Sequence, residues 1–244
     1  MRGTLLLARA EIMRLRRNRR YMITTLAFPI VLYLLIAKSA KQNVYGINFA
    51  AYYMIAMATL GSFSGALTGN AIRIAQDRKE GWVRQLQLTP LPANGYVISK
   101  IIAAMAISVP SVVIVLLLGR FYGGVHLGAA WKWIVIAAVV WLGAMTFAAL
   151  AIAIGYRLQP DQVQPIALLI YFVFLIIGGI FFPLKGFLQS VGSFTPTYEA
   201  MKTATSVAGG APVSGGLITG LVVWLGIFSG LAWLSVRATA DTGL

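Results

Sequence analysis

Six long stretches of the chain carry no charged residue: Tyr21–Ala37, Phe49–Ile72, Ile101–Leu118, Trp133–Ile154, Ile166–Phe182 and Leu217–Val236. Each is close to the ~20 residues that a helix needs to cross ~30 Å of hydrocarbon. No segment alternates apolar and polar residues over the ten or so positions of a barrel strand. The pattern predicts an all-α integral membrane protein with six transmembrane helices, forming one domain over residues 1–244. Residues 1–20 precede the first span. There Leu5, Ala8, Ile12 and Leu15 recur every three or four positions and share a helical face. Arg2, Arg9, Arg14 and Arg17 fall mostly opposite, while Arg16 and Arg19 fit only by snorkelling. This segment reads as an amphipathic helix on the cytoplasmic membrane surface, held by apolar burial and anionic lipid.

Smaller features refine the spans. Gly61, Gly65 and Gly69 repeat at four-residue spacing, as do Gly216 and Gly220, then Gly226 and Gly230. Such stripes let helix backbones approach closely, and packing within one chain is favoured over a dimer face. Pro29, Pro110 and Pro165 each remove a backbone donor and can kink a span. Tyr96, Trp82, Trp131 and Trp133 stand at or near span ends, where amphipathic rings favour the interface.

Composition agrees with a bilayer as solvent: 59% of residues are hydrophobic and only 11% charged, against about 25% charged in soluble domains. The net charge of +14 reads as orientation rather than nucleic-acid binding, because the basic residues flank apolar spans without a base-stacking surface. With the N-terminus inside, 14 Lys and Arg fall on the cytoplasmic side: seven before the first span, five between spans two and three, Arg157 and Arg237. Six fall outside: Lys38, Lys41, Arg120, Lys132, Lys185 and Lys202. Both termini are therefore expected in the cytoplasm. Tyr21–Ala37 is too long for a signal-peptide core of roughly 7–15 residues, so cleavage is not expected.

The inventory of reactive groups is short. There is no cysteine and one histidine, His126, in a short external loop. No metal site and no catalytic residue is therefore expected. The six acidic residues, Glu11, Asp77, Glu80, Asp161, Glu199 and Asp241, all fall outside the centres of the apolar stretches. Ion-driven carriers usually keep an ionisable group inside the membrane. Asp77 and Glu80 can share a helix face, read as a solvated ion-pair face. No phosphate loop is present, since the dipeptide Gly-Lys never occurs. If this chain moves a compound uphill, the energy enters through another protein, and this chain is not itself an enzyme.

The candidate entry point is the loop at 73–95. Its charged stretch Asp77–Glu80 is followed by Gly81, which can break a helix. Trp82, Val83, Leu86 and Leu88 then offer apolar contacts between Arg84, Gln85 and Gln87, and Thr89-Pro90-Leu91-Pro92 imposes an extended turn. A short amphipathic helix that projects and ends firmly can act as a lever.

This loop, Asp77-Arg78-Lys79-Glu80-Gly81-Trp82 through Leu88-Thr89-Pro90-Leu91, resembles the conserved loop of the ABC-2 type permeases. The closest group is the daunorubicin-resistance-like drug exporters of bacteria; the family often has Thr where Trp82 stands. Tyr52-Tyr53-Met54, Lys100, Gly178-Gly179, Phe182-Pro183-Leu184 and Phe194-Thr195-Pro196-Thr197-Tyr198 extend the likeness along nearly the whole chain.

The resemblance implies a bacterial cytoplasmic-membrane permease, working as two permease subunits, favoured as a homodimer, with two ABC ATP-binding subunits. ATP and Mg would sit in that partner, with no cofactor in this chain. The ATPase would dock on Asp77, Arg78, Lys79, Glu80, Gly81, Trp82, Arg84 and Gln85, with Arg157 and Asp161 as a second contact. Residues 183–203 would form short re-entrant helices before the last span; Phe187, Leu188, Val191 and Phe194 are apolar but too few to cross. Tyr52, Tyr53, Met57, Ser62, Ser64 and Asn70 are candidates for a path taken by a hydrophobic or amphiphilic drug, antibiotic or lipid-like compound. The rival readings are an ion-gradient-driven carrier, a lipid-acting intramembrane enzyme and a non-transporting sensor or scaffold.

Overall fold

The computed structural model describes residues 2–241 apart from 40, 41, 90 and 93. Pro90 of the expected turn and Lys41 of the outer-side charges lie outside the described residues. Among the described residues ten helices follow in order: α1 (Arg2–Arg17), α2 (Arg19–Ile36), α3 (Phe49–Lys79), α4 (Trp82–Gln87), α5 (Gly95–Phe121), α6 (Ala130–Arg157), α7 (Pro160–Ile177), α8 (Phe187–Gly192), α9 (Pro196–Gly209) and α10 (Gly215–Asp241). Five of them, α3, α5, α6, α7 and α10, are long and apolar enough to cross a membrane. The sixth candidate comes from α1 and α2, which meet at a bend of 83°. The 18 residues of α2 cover about 27 Å. The chain is thus an all-α integral membrane protein with five to six spans. Pro29, Pro110 and Pro165 all lie inside continuous helices.

The order of elements sets up two ends. Helices α2, α3, α5, α6, α7 and α10 alternate in direction, so α1, α4, the α6–α7 turn and the last turn of α10 share one end. The opposite end carries α8, α9 and a hairpin, Asn43–Val44 paired with Ile47–Asn48. Its turn, Tyr45-Gly46, has φ of 51° and 80°, the left-handed pair that suits the twist of a two-residue hairpin loop. Short helices α8 and α9 occupy the region expected to be re-entrant. Phe187, Leu188, Val191 and Phe194 are exposed, whereas α9 is largely buried and packs among α3, α6, α7 and α10.

The core forms around α3, whose most apolar window is 89% buried. Its glycine stripe explains how. Gly61 meets Pro29 of α2 and Ser111 of α5, Gly65 meets Thr25 and Ile107, and Gly69 meets Tyr21. Three glycines at four-residue spacing thus seat three α2 residues at the same spacing in the opposite direction. The expected packing within one chain is what this stripe does. On the other face, Phe63 of α3 packs against Phe147 of α6, which contacts Phe174 of α7 and Phe228 of α10. By contrast α7 and α10 bury only 22% and 11% of their windows, leaving rows such as Leu169, Val173 and Ile176, or Val222, Val223 and Leu234, exposed. In water such surface would be prohibitive; in a bilayer lipid solvates it.

Helices α3 and α6 approach closely at Gly155. A Cβ on Gly155 would lie 2.7 Å from Ile74 Cβ and 2.9 Å from the Ala71 carbonyl oxygen. The carbonyl belongs to a helix backbone and cannot turn aside. We expect Gly155→Ala to lower stability by about 1–3 kcal/mol through overpacking, read as an earlier unfolding midpoint in detergent; an unchanged midpoint would refute this account of the crossing.

Candidate functional site

At the end that carries α4, a helical break creates a projecting element. Gly81 has φ +72°, a left-handed conformation that stops α3 and that only glycine adopts freely. The chain then turns into the six residues of α4. Val83 and Leu86 face inward and pack against a small cluster of Ile74, Tyr96, Ile152, Tyr156 and Ala232. Trp82, Arg84, Gln85 and Leu88 face outward, as do Lys79 and Glu80 just before them. The result is an exposed surface of mixed charge and apolar groups with its inner side anchored.

What lies behind that surface is a buried charge network. Asp77, one turn before the break, is 1% exposed and Lys100 on α5 is 0% exposed. Lys100 Nζ lies 2.6 Å from Asp77 Oδ2 and 2.8 Å from Glu11 Oε2 on α1. Tyr96 Oη donates to Asp77 Oδ2 at 2.9 Å, and Arg14 Nη1 donates to Asp77 Oδ1 at 3.2 Å. Three helices are thereby tied at one point. Two carboxylates face one buried ammonium, and the half-exposed guanidinium of Arg14 restores neutrality. Burying charges costs several kcal/mol per ion unless each is paired, and here each is.

Several sequence expectations change accordingly. Asp77, expected on the docking surface, points its side chain inward instead, so it can position that surface without belonging to it. Asp77 and Glu80 do not form a solvated ion-pair face, because Glu80 alone is exposed. The acidic residues flank the apolar centres in sequence, yet Glu11, Asp77 and Glu199 are buried. Tyr96, expected at the interface, is buried as well. On α1 the inward face is Thr4, Ala8, Glu11 and Leu15, with Leu15 against Ala103 and Ile107 of α5, while Leu5 is exposed. Hence α1 is docked on the bundle by one face, and Leu5, Leu6 and Met13 point away. Burial depends on which helix lies opposite, and that is not written in the period of a single helix.

The remaining coupling candidates sit at the same end in different roles. Arg78 is half-buried; its Nη1 donates to the Gly155 carbonyl at 3.0 Å and its guanidinium lies 5.5 Å from the Tyr156 ring centre. A cation at the last carbonyls of α6 is favoured by the helix dipole. Arg157 is exposed and its Nε donates to Ser235 Oγ of α10 at 3.3 Å. Asp161 is exposed in the first turn of α7, where a negative charge suits the helix N-terminus. The α6–α7 turn is firm, because Gln159 and Gln162 form a reciprocal cap around Pro160.

The path candidates lie deeper. Tyr52, Tyr53, Met57, Ser62 and Asn70 are buried inside the bundle, and Ser64 is half-buried. The Tyr52 hydroxyl donates to the Gly179 carbonyl, Tyr53 stacks on Phe49 at 5.6 Å, and Ser62 Oγ donates to the Thr59 carbonyl at 3.1 Å. Tyr52 borders a crevice of about 10 Å³, room for about one water. Within the single chain these side chains pack into the core, with Ser64 at its edge.

Comparison with known proteins bears on this arrangement. The family model described as ABC-2 type transporter matches residues 2–207. A protein of Bacillus subtilis (strain 168) named "Putative transport permease YvfS" is 27% identical over 208 residues, covering 83% of this chain and 84% of that protein. The matched span runs from α1 through most of α9 and includes the charge network and α4.

Proposed function

The chain belongs to the ABC-2 type transporter family, and from that premise we propose that it is the permease of an ATP-driven exporter. Family membership makes it a transport permease subunit, embedded in a membrane through several helices. Permeases of this family generally work with an ATP-binding subunit, and this chain has no phosphate loop of its own. In our reading two copies of this chain pair with two ATP-binding subunits, which hold ATP and Mg. The proposed cargo is a hydrophobic or amphiphilic compound, carried outward across a bacterial cytoplasmic membrane. The 14-to-6 distribution of Lys and Arg supports a cytoplasmic location for both termini and α4.

The observation that carries this reading is the combination at the α4 end: a short exposed amphipathic helix whose root is fixed by buried ion pairs. A flexible loop would absorb a push. A helix anchored through Val83 and Leu86, next to Asp77 in its network with α1 and α5, passes the push to two long helices. The proposed ATPase contact comprises Lys79, Glu80, Trp82, Arg84 and Gln85, with Arg157 and Asp161 beside them. Arg78, Gly81 and Asp77 shape and hold that contact from within.

The test is reconstitution. The chain, co-expressed with a candidate ATP-binding subunit from the same genome, should co-purify with it. In proteoliposomes the pair should hydrolyse ATP and clear an amphiphilic dye from the membrane only with ATP present. A chain that never retains an ATPase, or one that transports on an ion gradient alone, would overturn the proposal.

A further inference from the structure

At the end opposite α4, a groove of about 880 Å³ runs between α9 and α10. Its walls are mostly apolar, including Phe194, Leu217, Val223, Trp224 and Ile227. One acidic side chain is set into it. Glu199 is only 6% exposed, and its Oε2 atom is buried without a hydrogen-bond partner. The sequence makes room for that carboxylate: a Cβ on Gly220 of α10 would overlap both its oxygens. Lys202, one turn on, also lines the groove, but its Nζ lies 4.3 Å from the centre of the Tyr45 ring and forms no described ion pair with the carboxylate.

A buried carboxylate with an unsatisfied acceptor oxygen in an apolar groove is costly unless a donor or cation satisfies it. We propose that this groove binds a drug-sized amphiphilic organic cation, its cationic nitrogen on the Glu199 carboxylate and its apolar body against Val223, Trp224 and Ile227. Charge decides the sign of the ligand. Size decides its class, since 880 Å³ lies within the ~300–1,000 Å³ of pockets for drug-sized molecules. The groove opens beside the lipid-exposed side of α10, so a ligand dissolved in the bilayer can reach it. This inference rests on the transport reading only for calling the ligand cargo; binding needs no ATPase.

Acidity gives the site a second signature. Burial pushes the Glu199 carboxyl up to about 7. The other titratable groups on the groove are Lys202 and Tyr198 of α9, and α10 puts none there. Lys132 of α6 is engaged at 3.2 Å with the Ala208 carbonyl. A carboxyl with a raised value is charged only above it, so cation binding should strengthen as pH rises through neutrality.

The experiment uses the purified full chain in uncharged maltoside micelles, with rhodamine 6G as the cationic probe and fluorescence polarisation as readout. Saturable binding is expected, at least tenfold weaker in Glu199→Gln and weaker at pH 6 than at pH 8. Sulforhodamine, anionic and of similar size, should show no saturable binding. Val223→Trp keeps the carboxylate and fills the apolar wall; it should also lose the probe, and it serves if Glu199→Gln fails to fold. Equal binding by wild type and both variants, or by both dyes, would overturn the assignment. So would displacement of the probe by phosphatidylethanolamine at lower concentration than by tetraphenylphosphonium, which would make the groove a lipid site. Because no ATPase is present, failure here leaves the permease reading standing, and failure of reconstitution leaves this one standing.

Discussion

Replacing Lys100 by methionine should destabilise the protein more than any other single substitution considered. The ammonium is fully buried and stands between Glu11 and Asp77, at 2.8 and 2.6 Å. Methionine fills similar space but leaves two buried carboxylates facing each other. Asp77 keeps Arg14 and Tyr96; Glu11 keeps no cation among the described ion pairs. Removing one member of a buried pair costs about 3–5 kcal/mol, because the survivor is an uncompensated charge. The expected outcome is a much lower yield of monodisperse protein and an earlier melting transition in detergent. A second substitution distinguishes charge from packing. Glu11→Leu combined with Lys100→Met removes the orphaned charge together with its partner and should recover most of the loss, since apolar replacement of a whole buried pair is often neutral. If the double variant is no better than the single one, the network is not what holds α1 to α3 and α5.

The second large effect concerns function with the fold left intact. Glu80 and Arg84 are exposed on either side of Gly81, and neither makes an internal ion pair among those described. Glu80→Ala with Arg84→Ala should therefore leave the melting transition within about 0.5 kcal/mol of wild type, as surface changes usually do. If these residues contact the ATPase, ATP-driven dye efflux should fall at least tenfold, equivalent to ~1.4 kcal/mol of lost coupling. The measurement is transport per assembled complex, with co-purification quantified in parallel. Full transport by the double variant would remove α4 from the coupling surface. Lost transport accompanied by lost folding would show instead that the side chains serve the bundle. The single substitution Asp77→Asn behaves differently in this scheme: it should act on stability first, because Asp77 lies behind the surface.

Much of this molecule was legible in one dimension. The six apolar stretches correspond to α2, α3, α5, α6, α7 and α10, with boundaries shifted by up to seven residues: most helices run on past the uncharged core, whereas α7 stops at Ile177, five residues before Phe182. Lipid imposes that legibility: a backbone in hydrocarbon must satisfy its own hydrogen bonds, so length and hydropathy leave few alternatives to a helix. The break at Gly81 and the amphipathic stretch after it were also readable, since each rests on local pattern; the short helices before the last span followed from the family resemblance. The glycine stripe on α3 announced a close approach, though not that Tyr21, Thr25 and Pro29 would fill it.

What the sequence did not reveal was where the charges go. Glu11, Asp77 and Lys100 are separated by 66 and 23 positions, and each stands in a neighbourhood that reads as a polar flank. Only the crossing of α1, α3 and α5 brings them within bonding distance, and only then does an acidic flank become a buried anchor. Glu199 is the same case at the other end: it reads as a surface residue until α10 closes over it at Gly220. Hydropathy along a chain is a property of single segments and fixes which of them enter the membrane. Burial and pairing of a charge depend on the opposite helix, and that is settled by packing alone.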